Sequence, residues 1–161
     1  MSDIEPWPMT VAPIDGMHVI PLNRIPDERG TVYHMLRCTD DHFQQFGEIY
    51  FSSIYDGVVK GWHLHHEMGL NYCCIHGRVK VVVYDPRDDS PTKGHLQEVF
   101  LGPDNHALLI VPPRVWNGFK GLGPGRNLVA NCATLPHGAS QSERMDPFVN
   151  PIPYDWNVRC D

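Results

Sequence analysis

The residues best suited to chemistry in this 161-residue chain are three neighbouring histidines, His63, His65 and His66. Residues 57–66 have the alternation of a strand, in which successive side chains point to opposite faces. His63 and His65 therefore share one face, about 6–7 Å apart along the strand. An imidazole titrates near pH 6.5, so at neutral pH it can take a proton from a substrate and return it. One histidine on a strand is commonly just hydrogen-bonded in a pocket wall, but the group of three indicates a functional site.

Short strands must position these imidazoles. Runs of β-branched and aromatic residues, bounded by glycine and proline turns, predict strands at residues 17–22, 31–36, 48–54, 57–66, 72–75, 79–84, 96–101, 107–111, 115–119 and 128–133. Only residues 40–46 suggest a helix, and residues 1–16 suggest an irregular arm. Many short strands of this kind predict an all-β sandwich or barrel, as a single domain over residues 1–161. In a small barrel, His63 and His65 would point into the mouth.

Composition limits the classes of partner. Hydrophobic residues make up 42% of the chain, which is typical of a globular domain with a core. The net charge is −6 and the basic residues form no stripe, so we expect no nucleic-acid partner. Local cations still allow an anionic small molecule to bind.

The cysteines and the N-terminus predict the compartment. Five cysteines form an odd set without a C-x-x-C pair, which favours reduced thiols in the cytoplasm over a disulfide framework. The first ten residues lack the basic and apolar regions of a signal peptide. No apolar run reaches the roughly 18 residues of a membrane helix, so we expect no membrane partner.

Several patches, in order along the chain, carry a family resemblance. They are Asp-Glu-Arg-Gly at 27–30, Gly-Val-Val-Lys-Gly-Trp-His at 57–63, Ser-Pro-Thr-Lys-Gly at 90–94, Pro-Pro-Arg-Val-Trp-Asn-Gly-Phe at 112–119, Ser-Glu-Arg at 142–144 and Asp-Trp at 155–156. Together they resemble the dTDP-4-dehydrorhamnose 3,5-epimerases of the cupin superfamily. The resemblance implies a jelly-roll (cupin) barrel, and the prolines and missing periodicity after residue 136 predict an irregular C-terminal tail. The resemblance also implies a nucleotide-sugar substrate, no cofactor, and a homodimer that exchanges N-terminal strands.

The same resemblance assigns catalytic positions. His63 matches the family histidine that deprotonates the sugar carbon next to the 4-keto group. Residues 135–136, Leu-Pro, stand near the family's tyrosine acid, residues 70–71 near its lysine, and Asn150 nearest its aspartate. Because leucine and proline donate no side-chain proton, we expect no hydroxyl on the face opposite His63. Any activity is then expected to be an isomerisation or a single-centre exchange.

A second resemblance concerns the centre alone. Gly-Trp-His-Leu-His at 61–65 and Pro-Arg-Val-Trp-Asn at 113–117 resemble segments of the sugar 3,4-ketoisomerases. In those enzymes two histidines move protons between neighbouring carbons. Both resemblances imply proton removal next to a ketone through an enolate, with His63 as base and His65 as its partner.

Cations, aromatic residues and one asparagine near these motifs are predicted to bind the substrate. They are Arg29, Lys60, Trp62, Arg78, Trp116 and Asn117. Lys60, Arg78 or Asn117 would serve near an enolate oxygen, which needs fixed donors or cations. Strand alternation places Lys60 and Trp62 on the face opposite His63. The two tryptophans either pack in the core or stack on a base or sugar.

Two other functions remain open. A metal-dependent cupin would use His63 and His65, but Gly69 and Leu70 stand at the glutamate positions of the superfamily's metal pattern and Asn117 at its distant histidine. Two ligands rarely retain a transition metal, so we expect no metal unless Glu67 or His106 substitutes. A non-catalytic cupin that binds a sugar nucleotide is the other alternative.

Overall fold

The computed structural model describes residues 14–157, which form twelve β-strands and no helix. The strands are β1 (His18–Pro21), β2 (Arg24–Asp27), β3 (Gly30–Tyr33), β4 (Glu48–Tyr55), β5 (Val59–His65), β6 (Leu70–His76), β7 (Val79–Tyr84), β8 (Leu96–Leu101), β9 (Ala107–Val111), β10 (Trp116–Gly121), β11 (Arg126–Ala133) and β12 (Ser142–Arg144). No helix long and apolar enough to cross a membrane therefore occurs in this range. Most of the predicted N-terminal arm, and any exchange of an N-terminal strand that precedes residue 14, lie outside the described residues.

Two five-stranded antiparallel sheets pack face to face. The first sheet has the order β1-β9-β6-β11-β4, the second has the order β12-β5-β10-β7-β8, and β2-β3 forms a separate hairpin. Alternate residues of β7 (Val79, Val81 and Val83) point into the core, where they join Leu70 of β6 and Leu109 of β9. This arrangement confirms the predicted all-β jelly-roll barrel.

All ten predicted strands are present, with ends that differ by a few residues, and two further strands occur. β2 and β12 have exposed side chains at every position, so neither contains an apolar alternation to recognise. The helix suggested at 40–46 is wrong. The Asp40 side chain accepts the Arg37 amide, and the Asp40 carbonyl accepts the Phe43 amide, which gives turns instead.

A β-bulge interrupts the pairing of β5 with β10. Asn117 lies opposite His63 and Phe119 lies opposite Lys60, so one residue of β10, Gly118, faces two residues of β5. The two strands approach closely there, because a Cβ built on Gly118 would lie 3.0 Å from the Lys60 carbonyl oxygen. A bulge adds one residue to a strand and changes which face the following side chains occupy.

The C-terminal segment covers the outer face of the second sheet. Trp62 and Val82 of that sheet form a second buried cluster with Ile152 and Trp156. The irregular tail predicted from residue 136 is interrupted by β12, which pairs with β5, and irregular structure continues after Arg144. The segment therefore leaves the opposite face of β5, which carries the histidines, directed between the sheets.

Candidate active site

The predicted catalytic residues line a cavity between the two sheets, with a volume of about 150 Å³. Its lining residues are Tyr50, Ser52, Lys60, His63, His65, Tyr72, Phe119, Val129, Asn131, His137, Ser142 and Arg144. Five of these side chains are imidazole or cationic, and none is a carboxylate. The cavity therefore suits a ligand that carries or develops negative charge.

A larger cavity, of about 360 Å³, lies near residues 41–44 and the adjoining ends of β6 and β9. None of the predicted catalytic or substrate-binding residues lines it. The predicted catalytic histidines converge in the smaller cavity, which we take as the candidate active site.

Lys60, His63 and His65 stand on the same wall of the active-site cavity. The shared face of His63 and His65 is what strand alternation predicts. The prediction for Lys60 is wrong, because the bulge at Gly61 and Trp62 turns the lysine to the histidine face. The Lys60 ammonium donates to the Ser52 hydroxyl and to the Ser53 carbonyl, at 3.2 and 2.6 Å.

Both imidazoles are held in their neutral form. Burial lowers the pKa of His63 below 6.5, and the charge of Arg144 lowers it further, with smaller effects of His65 and Lys60. Burial and then Arg144 lower the pKa of His65 in the same way, with a smaller effect of His137. Arg144 owes its position to strand pairing, since it lies opposite His63 across β12 and β5. At neutral pH each imidazole is thus able to accept a proton.

His65 has a ring nitrogen with no partner inside the described chain. Its Nδ1 is buried, and no group among residues 14–157 forms a hydrogen bond with it. A buried polar atom normally has a partner. This atom therefore marks a place where a bound ligand or a water molecule would complete the site.

Three polar side chains lie side by side on the cavity wall opposite His63. Asn131 of β11 pairs in register with Tyr50 of β4 on one side and with Tyr72 of β6 on the other. All three side chains line the cavity. The expectation that the face opposite His63 lacks a hydroxyl is therefore wrong. The phenols come from β4 and β6, not from residues 135–136.

Asn117 forms hydrogen bonds with residues of both cavity walls but does not itself line the cavity. Its Nδ2 donates to the His63 carbonyl at 3.1 Å, and its Oδ1 accepts from the Tyr72 hydroxyl at 3.0 Å. Asn117 is buried and is absent from the cavity lining. The sequence predicts that Asn117 binds the substrate. In the structure its hydrogen bonds instead hold β5 and Tyr72 in place. Burial, together with the nearby Tyr50, raises the pKa of Tyr72 far above its ordinary value.

Four other predicted binding residues lie outside the cavity lining. Of the two alternatives for the tryptophans, the structure shows packing: Trp62 is fully buried against Trp156, and Trp116 packs on the same cluster. Arg78 lies over the Phe100 ring, 5.6 Å from its centroid. Arg29 pairs with Asp27 at the exposed tip of the β2-β3 hairpin.

Nine of the twelve lining residues went unrecognised as site residues in the sequence. They are Tyr50, Ser52, Tyr72, Phe119, Val129, Asn131, His137, Ser142 and Arg144. Phe119, Ser142 and Arg144 carried a signal, because they belong to patches that resemble the family. Tyr50, Tyr72 and Asn131 reach the cavity through pairings between strands far apart in sequence, which a pattern within one strand does not reveal.

The substitute metal ligands are not at the site. The His106 Nε2 lies 2.8 Å from the His34 carbonyl oxygen, and its Nδ1 lies 3.8 Å from the Cys73 sulfur. Glu67 follows the end of β5 and is exposed. Between residues 14 and 157, no three His, Cys, Asp or Glu side chains come together in a way that could hold a metal ion.

Comparison with known families and proteins agrees with the fold. Residues 11–157 match the profile of the dTDP-4-dehydrorhamnose 3,5-epimerase family. The chain is 36% identical over 141 residues to the probable low-salt glycan biosynthesis epimerase Agl13 of Haloferax volcanii, covering 82% of this chain and 87% of that protein. It is 32% identical over 147 residues to the spore coat polysaccharide biosynthesis protein SpsL of Bacillus subtilis, covering 90% and 97%.

A solved structure is similar in both sequence and fold. The crystal structure of a dTDP sugar isomerase from Desulfovibrio desulfuricans G20 superimposes with a TM-score of 0.86 at 44% identity. The match covers 89% of this chain and 92% of that one. The jelly-roll frame and the sequence thus agree over nearly the whole domain.

Proposed function

The chain belongs to the dTDP-4-dehydrorhamnose 3,5-epimerase family, and from that membership we propose that it epimerises a 4-keto sugar linked to a nucleotide. Membership makes it a sugar epimerase, an isomerase of carbohydrate biosynthesis. One observation carries the finer proposal. Two neutral imidazoles share a cavity with fixed cations and with no carboxylate.

The reaction begins with His63. Its neutral imidazole removes the proton from the carbon next to the ketone, and an enolate forms. An enolate is stabilised by cations already fixed where its charge develops. Lys60 and Arg144 line the same cavity and supply that charge. Reprotonation of the carbon from its other face inverts the centre.

His65 acts as the partner of His63. It lies on the same wall, and its unpartnered ring nitrogen is available to bind the ketone or a neighbouring hydroxyl. That position also supports a second candidate, a ketoisomerase in which the two imidazoles move a proton between neighbouring carbons. Two groups on one wall suit transfer on one face of the sugar, whereas inversion needs a donor on the other.

The size of the cavity indicates which part of the substrate it takes. About 150 Å³ is well below the roughly 300–1,000 Å³ of pockets that enclose drug-sized ligands. The sugar ring therefore enters, and the nucleotide lies outside the cavity. Arg29 and Arg78 stay predictions for the nucleotide part, since neither lines the cavity.

The assembly proposed is a homodimer. The outer side of β4 exposes Ile49, Phe51 and Tyr55, and Ile75 of β6 is exposed on the same sheet. Apolar residues grouped on one sheet face are typical of a protein contact surface. A second copy of this chain is the partner that the family resemblance implies.

The test is proton NMR in heavy water with a nucleotide-linked 4-keto-6-deoxy sugar. Wild-type protein is expected to place deuterium at the carbon next to the ketone and to invert it. His63→Asn should reduce exchange by about 10²–10⁴-fold, the usual contribution of a general base, while circular dichroism shows a folded protein. His66→Asn is the matched control, because His66 pairs with Glu143 at 3.0 Å and is absent from the cavity lining.

The possible outcomes separate the candidates. Exchange and inversion together support the epimerase, and formation of a 3-keto product supports the ketoisomerase. Tight binding without exchange in the wild type would refute both and favour a binding protein. Full exchange in folded His63→Asn would show that the base is another residue.

A further inference from the structure

Tyr50 occupies the wall opposite His63, and its hydroxyl has a hydrogen bond of known direction. The Asn131 Nδ2 lies 2.9 Å from the phenolic oxygen of Tyr50. Both residues line the cavity, and Tyr50 is 39% exposed, so its ring is open to a ligand. The direction of this bond decides whether the phenol has a proton to donate.

The amide of Asn131 is fixed by a backbone donor. Its Oδ1 accepts the main-chain N–H of Asn71 at 3.1 Å, and an N–H group only donates. Nδ2 must therefore face Tyr50, and the phenolic oxygen accepts. The phenol's own hydrogen forms no bond to any group among residues 14–157 and is left for the cavity.

The hydrogen bond of the Tyr72 hydroxyl has the opposite direction, although Tyr72 lies only two strands away on the same sheet. The His63 carbonyl only accepts, so Asn117 must present Nδ2 to it and Oδ1 to Tyr72. The Tyr72 hydroxyl therefore donates its proton to Asn117 and has none for a ligand. Of the two tyrosines on this wall, only Tyr50 has an uncommitted proton.

We propose that Tyr50 delivers the proton to the enolate from the face opposite His63, which makes the reaction an inversion. This inference rests on the proposed function of the site. The C–H proton passes to His63, and the enolate's electron pair takes the Tyr50 hydroxyl proton to form the new C–H bond. The phenolate and the imidazolium that remain return to their starting forms by exchanging protons with water.

The surroundings of Tyr50 favour the phenolate that the step creates. The N–H of Asn131 points at its oxygen, and Lys60 is bonded to Ser52 on the same face of β4. A fixed donor and a nearby cation both stabilise an anionic oxygen. Asn131 on the same wall, and Lys60 reaching across from the histidine wall to Ser52, thus stabilise the charge left behind.

Tyr50→Phe separates inversion from exchange in the heavy-water experiment. His63 should still remove and return a proton on its own face, so deuterium enters with the configuration retained. Inversion should fall by about 10²–10⁴-fold, the usual contribution of a general acid. Tyr33→Phe is the matched control, since Tyr33 of β3 is 54% exposed and does not line the cavity, and it should invert at the wild-type rate.

A fluorinated tyrosine at position 50 keeps the ring in place and lowers the pKa of the phenol. The alkaline limb of the inversion rate should then move to lower pH, which a merely structural role would not cause. Inversion by Tyr50→Phe within about threefold of wild type, loss of exchange together with inversion, or an unmoved alkaline limb would each overturn the assignment. A wild-type protein that neither exchanges nor inverts would refute the proposed function instead.

Discussion

Lys60 and His63 lie on the same wall of the active-site cavity although they are three positions apart on one strand. In a regular strand that spacing puts two side chains on opposite faces. The bulge, with Gly61 and Trp62 both opposite Gly118, brings them together. An ammonium group beside the base, able to stabilise the enolate, is thus the consequence of one additional residue in β5.

The bulge depends on the absence of a side chain at Gly118. A Cβ there would lie 3.0 Å from the Lys60 carbonyl oxygen and 3.2 Å from the Trp156 ring. Gly118→Ala should lower the free energy of unfolding by about 1–3 kcal/mol. It should reduce exchange on the order of 10–100-fold, because Lys60 and His63 shift relative to each other.

Chemical denaturation and the heavy-water assay measure both effects. Gly69→Ala is the control, since its Cβ would meet Thr134 at an ordinary 3.4 Å, and it should change the free energy of unfolding by less than about 0.5 kcal/mol. Equal effects of the two substitutions would show that the close contact at Gly118 has no special importance.

The pH dependence of exchange should show the effect of Arg144 on His63. A general base works in its neutral form, so a lowered pKa extends activity to lower pH. Burial and then Arg144 lower the pKa of His63, and the acid limb of kcat/KM should therefore lie below pH 6.5, the ordinary imidazole value. Arg144→Gln removes the charge and should move that limb to higher pH.

The pH of the acid limb is the quantity to compare, because loss of Arg144 also weakens enolate stabilisation and so lowers the maximal kcat/KM. Arg126→Gln is the control, since Arg126 begins β11, is exposed and does not line the cavity. If the acid limb of Arg144→Gln lies at the same pH as that of the wild type, the guanidinium does not act on His63.

The features predicted correctly from the sequence are those that depend on a single strand. Alternation in residues 57–66 placed His63 and His65 on one face, and ten strands were recognisable from their apolar runs and turns. The face of Lys60 was mispredicted, because a bulge is a relation between two strands. Tyr50, Asn131 and Tyr72 meet through pairings of β4, β11 and β6 that no local pattern specifies.

Purified protein should contain no stoichiometric transition metal. Three imidazoles line the cavity, but between residues 14 and 157 no three His, Cys, Asp or Glu side chains come together in a way that could hold an ion, and catalytic sites usually use three protein ligands. Elemental analysis is expected to find far less than one ion per chain, and a chelator should leave exchange unchanged. About one ion per chain, lost in His63→Asn, would establish a metal site instead.

The exposed apolar side of β4 should be the contact surface of a dimer. Phe51 is 59% exposed on this face, between Ile49 and Tyr55, and a large aromatic residue at the centre of a contact often contributes about 2 kcal/mol or more. Phe51→Lys should therefore weaken dimerisation by roughly 30-fold or more. Light scattering across micromolar concentrations measures the change.

Phe148→Lys is the control, since Phe148 is 70% exposed in the C-terminal segment, and this variant should remain dimeric. A wild-type monomer at these concentrations, or a Phe51→Lys dimer of unchanged affinity, would show that this face does not join two copies.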